Sequence, residues 1–502
     1  MLVFALLIGT AWTGRASVAR VDVDPSLHAG DVALIQVAAG TAWTVAADLT
    51  SAGATQITAF DRVNVVSARL SDQALATIAT DHAVLRATTD ARVAAVGGGN
   101  NGKDLDKVGS QSTKDSIGIA AMNVADAWPH TTGAGVVVAI MDSGIGLHPD
   151  LPSGKVIARV DLANDGAYGL DPAGHGTHLA GIIAGHGSEF RGVAPDARLV
   201  DIRVLDESGE GTLGSVVAGF EWLLDNRAAL GIRVLNLSFG TTQTSSYHAD
   251  LLAALAESAW FAGITVVAAA GNDGDDIGTI STPGADPFII TAGSFDDQGT
   301  RSEQDDRQSA FSSRGPTKDG FTKPDVLAPG RRVVSLRSDG SQAAPLQPDD
   351  AGRNGSSSLS LYTRMSGTSV SSAMVSGVAA LVLSFHASYT PTTTKGAIVA
   401  LGRSITGSPT KAVMAPSAVF ALPRTVNSQL LPSRLLMSAL ESSGVLGGGT
   451  TWEGVTWEGV TWEAVTWEGV SWESVTWESV SWQGVAWERE SVTQQSAGGM
   501  SR

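Results

Sequence analysis

Three short segments carry an acid, a base and an alcohol in settings that suit them to chemistry. Residues 138–146 (VAIMDSGIG) form an apolar run that stops at Asp142, with Gly144 and Gly146 in the turn that follows. Residues 174–185 (GHGTHLAGIIAG) set His175 between two glycines, which allow close backbone approach, ahead of a small-residue helix. Residues 365–377 (MSGTSVSSAMVSG) put Ser369 at the start of a helix whose Ala373, Gly377 and Ala380 keep one side narrow. Each has a plainer reading. A strand-end carboxylate is usually a turn residue, and a serine at a helix start is usually an N-cap. The same serine also has free amides beside it that stabilise a developing oxyanion. His175 and His178 have a spacing that metal ligands use, but no Glu stands where a zinc protease would need one.

The chain order is Asp142, His175, Ser369, which is the order of subtilisin among the serine-protease triads. DSGI around Asp142, HGTH around His175 and SGTS around Ser369 match the three signatures of the subtilisin (subtilase, S8) family, and this chain resembles it over roughly residues 117–405. AAAGN at 268–272 is similar to the family's oxyanion segment, with Asn272 as the donor, and LSFG at 237–240 resembles its substrate-binding strand. FSSRGP (311–316) and KPDVLAPG (323–330) are further family-like stretches. The resemblance implies a serine endopeptidase that cleaves polypeptides through an acyl-enzyme, with Asp142, His175, Ser369 and Asn272 as catalytic residues. It further implies a cleft lined by Ser238, Phe239, Gly240, Ala269, Ala270, Gly271 and Ser281, with Asp273 at the rim of the first specificity pocket, favouring a basic residue there. No cofactor is expected for the chemistry. The family allows structural calcium, for which the acidic loops 273–276 and 296–306 are candidates, although a solvated loop is the plainer reading. The chain departs from the family pattern after Ser369, where Ala373 and Met374 replace the usual proline and histidine; altered helix stability is expected there, not lost activity.

The elements that must position these residues read as an α/β fold. Residues 136–141, 199–205, 234–237, 264–270 and 288–292 are strand candidates, and 215–226 and 247–261 have helical spacing. Two-sided apolar strands alternating with helices indicate a doubly wound parallel sheet, subtilisin-like by resemblance, whose chemistry gathers at the strands' carboxyl ends. This catalytic domain is assigned to 117–425. Residues 29–96 alternate strand, helix, strand, helix, strand and form a small α+β unit, which resembles the family's inhibitor-type propeptide and makes the chain's own propeptide an expected partner. Residues 97–116 are a Gly-, Asn- and Ser-rich linker, where self-cleavage is expected.

Composition narrows the rest. A hydrophobic fraction of 43% is enough for a large core. A net charge of −17 opposes nucleic-acid binding, and the absence of cysteine removes thiol nucleophiles and cysteine-held metals. Residues 2–12 are apolar, with small residues up to Ala19, so 1–19 reads as a signal-peptide-like segment and the expected location is extracellular or the cell surface. No stretch reaches the ~20 residues of a transmembrane anchor. Residues 451–488 repeat Thr/Ser-Trp-Glu-Gly/Ala/Ser-Val, a period that turns each Trp by about 140° on a helix and flips faces on a strand. This Trp-rich pentad tail is expected to be a surface-lying appendage or to bind cell-wall glycan or another protein. A non-enzymatic surface protein using that repeat is the rival reading, and the presence of all four catalytic-type residues argues against it.

Overall fold

The computed structural model describes residues 21–96 and 118–436, apart from 164, 168, 189, 244, 275, 301, 344–359, 428–429 and 434–435. The signal-like segment, the linker and the Trp repeat lie outside the described residues.

The larger unit is built on an eight-stranded sheet. In spatial order it runs Arg307–Gln308, Ile290–Asp296, Thr265–Ala269, Ile232–Leu237, Val137–Asp142, Arg198–Arg203 and Val156–Asp161, with Val326–Pro329 also beside Ile290–Asp296. Every pairing is parallel except that of the short Arg307–Gln308. The central strands are rich in Val, Ile and Leu because helices cover both faces, leaving no side that water would select as polar. Val156–Asp161 (VIARVD) escapes a hydrophobic scan for the converse reason: it is the outermost strand and every residue in it is only half-buried. Strand by strand the structure agrees with the sequence reading to within a few residues, and the subtilisin-like parallel α/β fold is present.

One helix fills the centre. Thr368–Phe385 is apolar and long enough to cross a membrane, yet it is buried inside the body. It packs against His175–Ala184, against the strands Ile232–Leu237, Thr265–Ala269 and Ile290–Asp296, and against helices Pro391–Ala400 and Ala415–Val419. It runs unbroken through Ala373 and Met374, both fully buried. Its small-residue side has a specific need: a Cβ on Gly377 would stand 2.6 Å from Val193 Cβ.

The smaller unit is a five-stranded sheet in the order Asp22–Val23, Val84–Thr89, Val32–Val37, Val65–Arg69, Thr55–Phe60. Helices Ala42–Ser51 and Asp72–Ile78 cover one face, the second capped by Ser71 Oγ, which accepts from Ala74 N at 3.0 Å. Alternation along the strands divides their side chains. Ile35, Val37 and Val66 join Val45, Leu49 and Ile78 in this unit's own core. Leu34 and Val65 point the other way, into the apolar cluster of the larger unit. The strand Thr55–Phe60 was not legible in the sequence, because it is an edge strand with no fully buried residue and no regular apolar alternation.

The Gly377 contact makes a test. Gly377→Ala should gain about 1 kcal/mol of helix propensity and lose more than that to overpacking, which costs about 1–3 kcal/mol. In a Ser369→Ala background, urea unfolding should show a lower midpoint; an unchanged midpoint would contradict the close contact.

Candidate active site

The strand Val137–Asp142 and the helix His175–Ala184 bring the first pair of predicted residues together. His175 Nδ1 and Asp142 Oδ1 are 2.7 Å apart, with both side chains buried. Backbone proximity makes this contact possible. A Cβ on Gly176 would lie 2.1 Å from Gly144 O, and one on Gly144 (φ +115°) would lie 2.4 Å from Leu170 O. Glycine at 176 lets the turn after Asp142 touch the first turn of the histidine helix, and glycine at 144 lets that turn pass the Leu170 carbonyl.

Three polar side chains then stitch that contact. Ser143 Oγ accepts from Gly176 N at 3.0 Å and donates to Asp171 Oδ1 at 2.8 Å. Asp171 Oδ1 also accepts from Gly174 N, and its Oδ2 from Thr177 N, both at 2.8 Å. Thr177 Oγ1 accepts from Gly146 N at 2.8 Å. Burial pushes the Asp171 carboxyl up, and hydrogen bonds from Thr177, Ser143 and Gly174 oppose that shift. Asp171 thus serves the free amides at the start of the histidine helix while tying down the loop that follows Asp142. From below, the buried Arg203 donates through Nε to Ser143 O at 2.9 Å and is neutralised by Asp161 and Asp165.

Ser369 is the second residue of the helix Thr368–Phe385 and is fully buried; its Oγ lies 3.5 Å from Ser238 O. A polar ladder holds Ser238 from behind. Its Oγ meets Ser372 Oγ at 2.8 Å and accepts from Asn236 Nδ2 at 2.8 Å, and Ser376 Oγ donates to Asn236 Oδ1 at 3.0 Å. Asn272 sits beside the start of the same helix. Its Oδ1 accepts from both the N–H and the hydroxyl of Thr368, each at 3.0 Å. Because an N–H cannot face an NH₂, these bonds settle the amide's orientation and leave Nδ2 as its donor end.

Of the residues expected to line a cleft, Phe239 and Gly240 pair with a strand of the small unit. Ser238 and the strand Phe239–Thr242 stand on one side of a groove and Glu210–Thr212 on the other, with Arg92–Ala95 of the small unit filling the space between. All pairings are antiparallel, with Ala95 opposite Phe239 and Ala94 opposite Gly240. Ser281, in the strand Ser281–Thr282, pairs with Thr242 behind this wall and accepts no part of the 92–95 strand. Ala269 ends the strand Thr265–Ala269; Ala270 O accepts from Ser281 N at 2.9 Å, and Gly271 N donates to Thr368 Oγ1 at 3.1 Å. Asp273 is exposed, its N–H donating to Ser313 Oγ at 3.1 Å.

The metal readings fare differently. His178 turns away from the pair just described: its Nε2 lies 3.1 Å from Val333 O, and burial lowers its pKa to about 3. In the loop 296–306, Asp296 faces Arg331 and Arg332 and Asp306 faces Arg403. Guanidinium groups already neutralise these two carboxylates, a pairing that does not suit a calcium site. Among the described residues no cluster of three or more His, Asp or Glu converges.

The sequence pointed to Asp142, His175, Ser369 and Asn272 but not to Asp171, Ser143, Thr368 or the strands Glu210–Thr212 and Arg92–Ala95. Asp171 had one signal, its place just upstream of the glycine–histidine step. The two short strands had none, because their partners are remote in sequence.

Comparison with known proteins agrees with this geometry. The Subtilase family model (Peptidase_S8) matches residues 133–409. The chain is 42% identical over 269 residues to the serine protease AprX of Bacillus subtilis, across 52% of this chain and 59% of that protein. It is 35% identical over 257 residues to subtilisin DY of Bacillus licheniformis, across 50% and 78%. The chain thus spans about three fifths of the length of AprX. Among solved structures, fervidolysin from Fervidobacterium pennivorans, described as a keratinolytic enzyme related to subtilisin, aligns with a TM-score of 0.62. That alignment covers 81% of this chain and 64% of that one at 23% identity, a likeness of fold. A family match over more than half the sequence, on the same residues that build the site, leads to one conclusion: the chain belongs to the subtilase family.

Proposed function

We propose that this protein is a secreted serine endopeptidase, made as a zymogen that cuts itself after Val96. The observation that carries the reading is the strand 92–96 lying in the groove. Val96 N donates to Ser238 O at 2.8 Å, and Ser369 Oγ approaches that same oxygen. An extended chain held by backbone hydrogen bonds on both edges is how a peptide substrate is bound without regard to its sequence. The residue whose N–H meets Ser238 O is then the one presented to the serine, which makes Val96–Gly97 the bond to be cut, at the start of the linker expected to contain it.

In this reading Ser369 Oγ attacks the Val96 carbonyl carbon. A hydroxyl is a weak nucleophile until a base takes its proton, so His175 accepts it and then returns it to the leaving amine. Asp142, fixed on Nδ1, keeps the other ring nitrogen available and stabilises the imidazolium. Asn272 Nδ2 and the Ser369 N–H stabilise the oxyanion, and the Asn272 amide is already turned for this by Thr368. Water then releases the acyl group.

The small unit acts as propeptide and inhibitor. Beyond the strand in the groove, Glu221 Oε2 accepts from Arg62 N at 2.9 Å and Val63 N at 3.2 Å, and Asp90 Oδ1 accepts from Gly214 N at 2.8 Å. Arg62 pairs with Asp225 at 2.7 Å, an exposed pair that contributes little. Apolar contact matters more, and Val93 is buried in the same cluster as the catalytic core. The apolar run at 2–12 supports export.

Intact mass of the full-length chain after incubation tests the reading. Wild type should yield a fragment ending at Val96 while Ser369→Ala stays whole; equal cutting of both would assign the scission to a foreign protease and sink the proposal. Asn272→Ala should lower kcat on a peptide substrate by about 10²–10³-fold with KM little changed, the size of effect known for the corresponding amide of subtilisin. Val93→Ala removes two buried methyl groups, worth about 0.8 kcal/mol each. Single-turnover self-cutting should slow roughly tenfold; an unchanged rate would show that Val93 does not help seat the strand.

A further inference from the structure

The turn that follows Asp142 is gripped at one more peptide, that of Ile145, and both partners there are side chains. Ile145 N donates to Asp201 Oδ2 at 3.0 Å, and Arg159 Nη1 donates to Ile145 O. The same Nη1 lies 2.7 Å from Asp201 Oδ2, so the two side chains form an ion pair with the peptide closed inside it. Ile145 is itself fully buried. The neighbouring peptides are held by other residues: Arg203 donates to Ser143 O, and Gly146 N donates to Thr177 Oγ1.

The pair comes from the edge of the sheet. In register, Asp201 stands between Ile140 and Arg159, and Arg203 stands between Asp142 and Asp161. Residues two apart along a strand share a face, so both rows lie on one side of the sheet, and the second of them contains Asp142. Asp201 is 3% exposed, and its Oδ1 has no partner among the described residues. Burial pushes its carboxyl up to about 7, against the pull of Arg159 and Arg203 and with a small push from Asp171. A buried ion pair is often no better for stability than apolar side chains of the same volume. Apolar side chains would give the Ile145 N–H no acceptor and its C=O no donor.

We infer that Arg159 and Asp201 are positioning residues for Asp142: by closing on the Ile145 peptide they hold the Gly144 carbonyl against the backbone at Gly176, and so fix the contact between Asp142 and His175. They act through the turn and not on the reacting atoms. The assignment rests on the protease reading only for its effect on rate; its effect on the turn is independent of that reading.

The first measurement needs no activity and uses the full-length chain carrying Ser369→Ala. Two amides cross between the turn and the histidine helix, Gly146 N–H to Thr177 Oγ1 and Gly176 N–H to Ser143 Oγ. Their hydrogen exchange should rise about tenfold in Asp201→Ala and in Arg159→Met. Asp201→Asn keeps an oxygen for the Ile145 N–H and should restore the parent rate. Lys155→Met is the control. Lys155 is buried just before the strand Val156–Asp161, at the end away from the turn, and donates to Ala197 O at 3.1 Å. Its loss should lower the urea midpoint and leave both amides unchanged. Unchanged exchange in Asp201→Ala and Arg159→Met, or an equal rise in Lys155→Met, overturns the inference. If Asp201→Ala does not fold, Arg159→Met decides alone, because Arg159 is partly exposed.

The second measurement is kinetic. In the active enzyme Asp201→Ala should lower kcat on a peptide substrate about tenfold with KM little changed. A loosened Asp142 stabilises the imidazolium less, so the acid limb of kcat/KM should move to lower pH. A fall in kcat with the acid limb unmoved overturns the positioning role. Wild type that cuts no peptide, while exchange responds as expected, sinks only the protease reading; wild type that cuts peptides, while exchange does not respond, sinks only the positioning.

Discussion

The structure depends on one close approach, that of the Gly144 carbonyl to the backbone at Gly176. Parallel strands release the chain at their carboxyl ends, and Asp142 is placed there by the sheet alone. The sheet does not decide how near the next helix comes. Gly176 removes the steric barrier, and Asp171 and Ser143 then satisfy the amides and hydroxyls that the contact would otherwise strand. A side chain at 176 would meet the Gly144 backbone and press apart the two elements that join His175 to Asp142.

The second half of the site follows from a different economy. The helix Thr368–Phe385 is almost wholly apolar, yet its first turns carry Thr368, Ser369, Ser371, Ser372 and Ser376, all buried. Each buried hydroxyl needs a partner, and those partners are the wall of the groove: Asn272, Ser238 and Asn236, with Ala328 O accepting from Ser371. The polar groups that the core cannot leave unpaired are thereby the ones that orient the amide of Asn272 and the carbonyl of Ser238. Folding and site geometry draw on the same hydrogen bonds.

The two units share a logic of unfinished edges. Glu210–Thr212 and Phe239–Thr242 leave unpaired backbone facing one another, and Arg92–Ala95 completes them. Strand addition supplies affinity without side-chain identity, while Val93, sunk in the apolar cluster, supplies what identity there is. The other end of the interface rests on Leu34 and Val65, the outward alternates of strands whose inward residues build the small unit's own core. One strand pattern therefore serves two cores, which is why this unit is folded in itself and still presents an apolar face to its neighbour.

The sequence by itself determined the parallel α/β body, most of its central strands, the small α+β unit and the segments around Asp142, His175, Asn272 and Ser369. These are local matters: apolar period, turn glycines and short motifs whose residues lie close along the chain. Tertiary structure alone decided that Arg92–Ala95 is an inner strand of a four-stranded sheet drawn from distant segments, that Asp171 joins two elements, and that Ser433 is held by Glu257. It also decided that Asp296 and Asp306 face guanidinium groups. In each case the partners are far apart in sequence, and a strand with no apolar alternation, or a carboxylate with no local donor, acquires its role only when folding brings the other half to it.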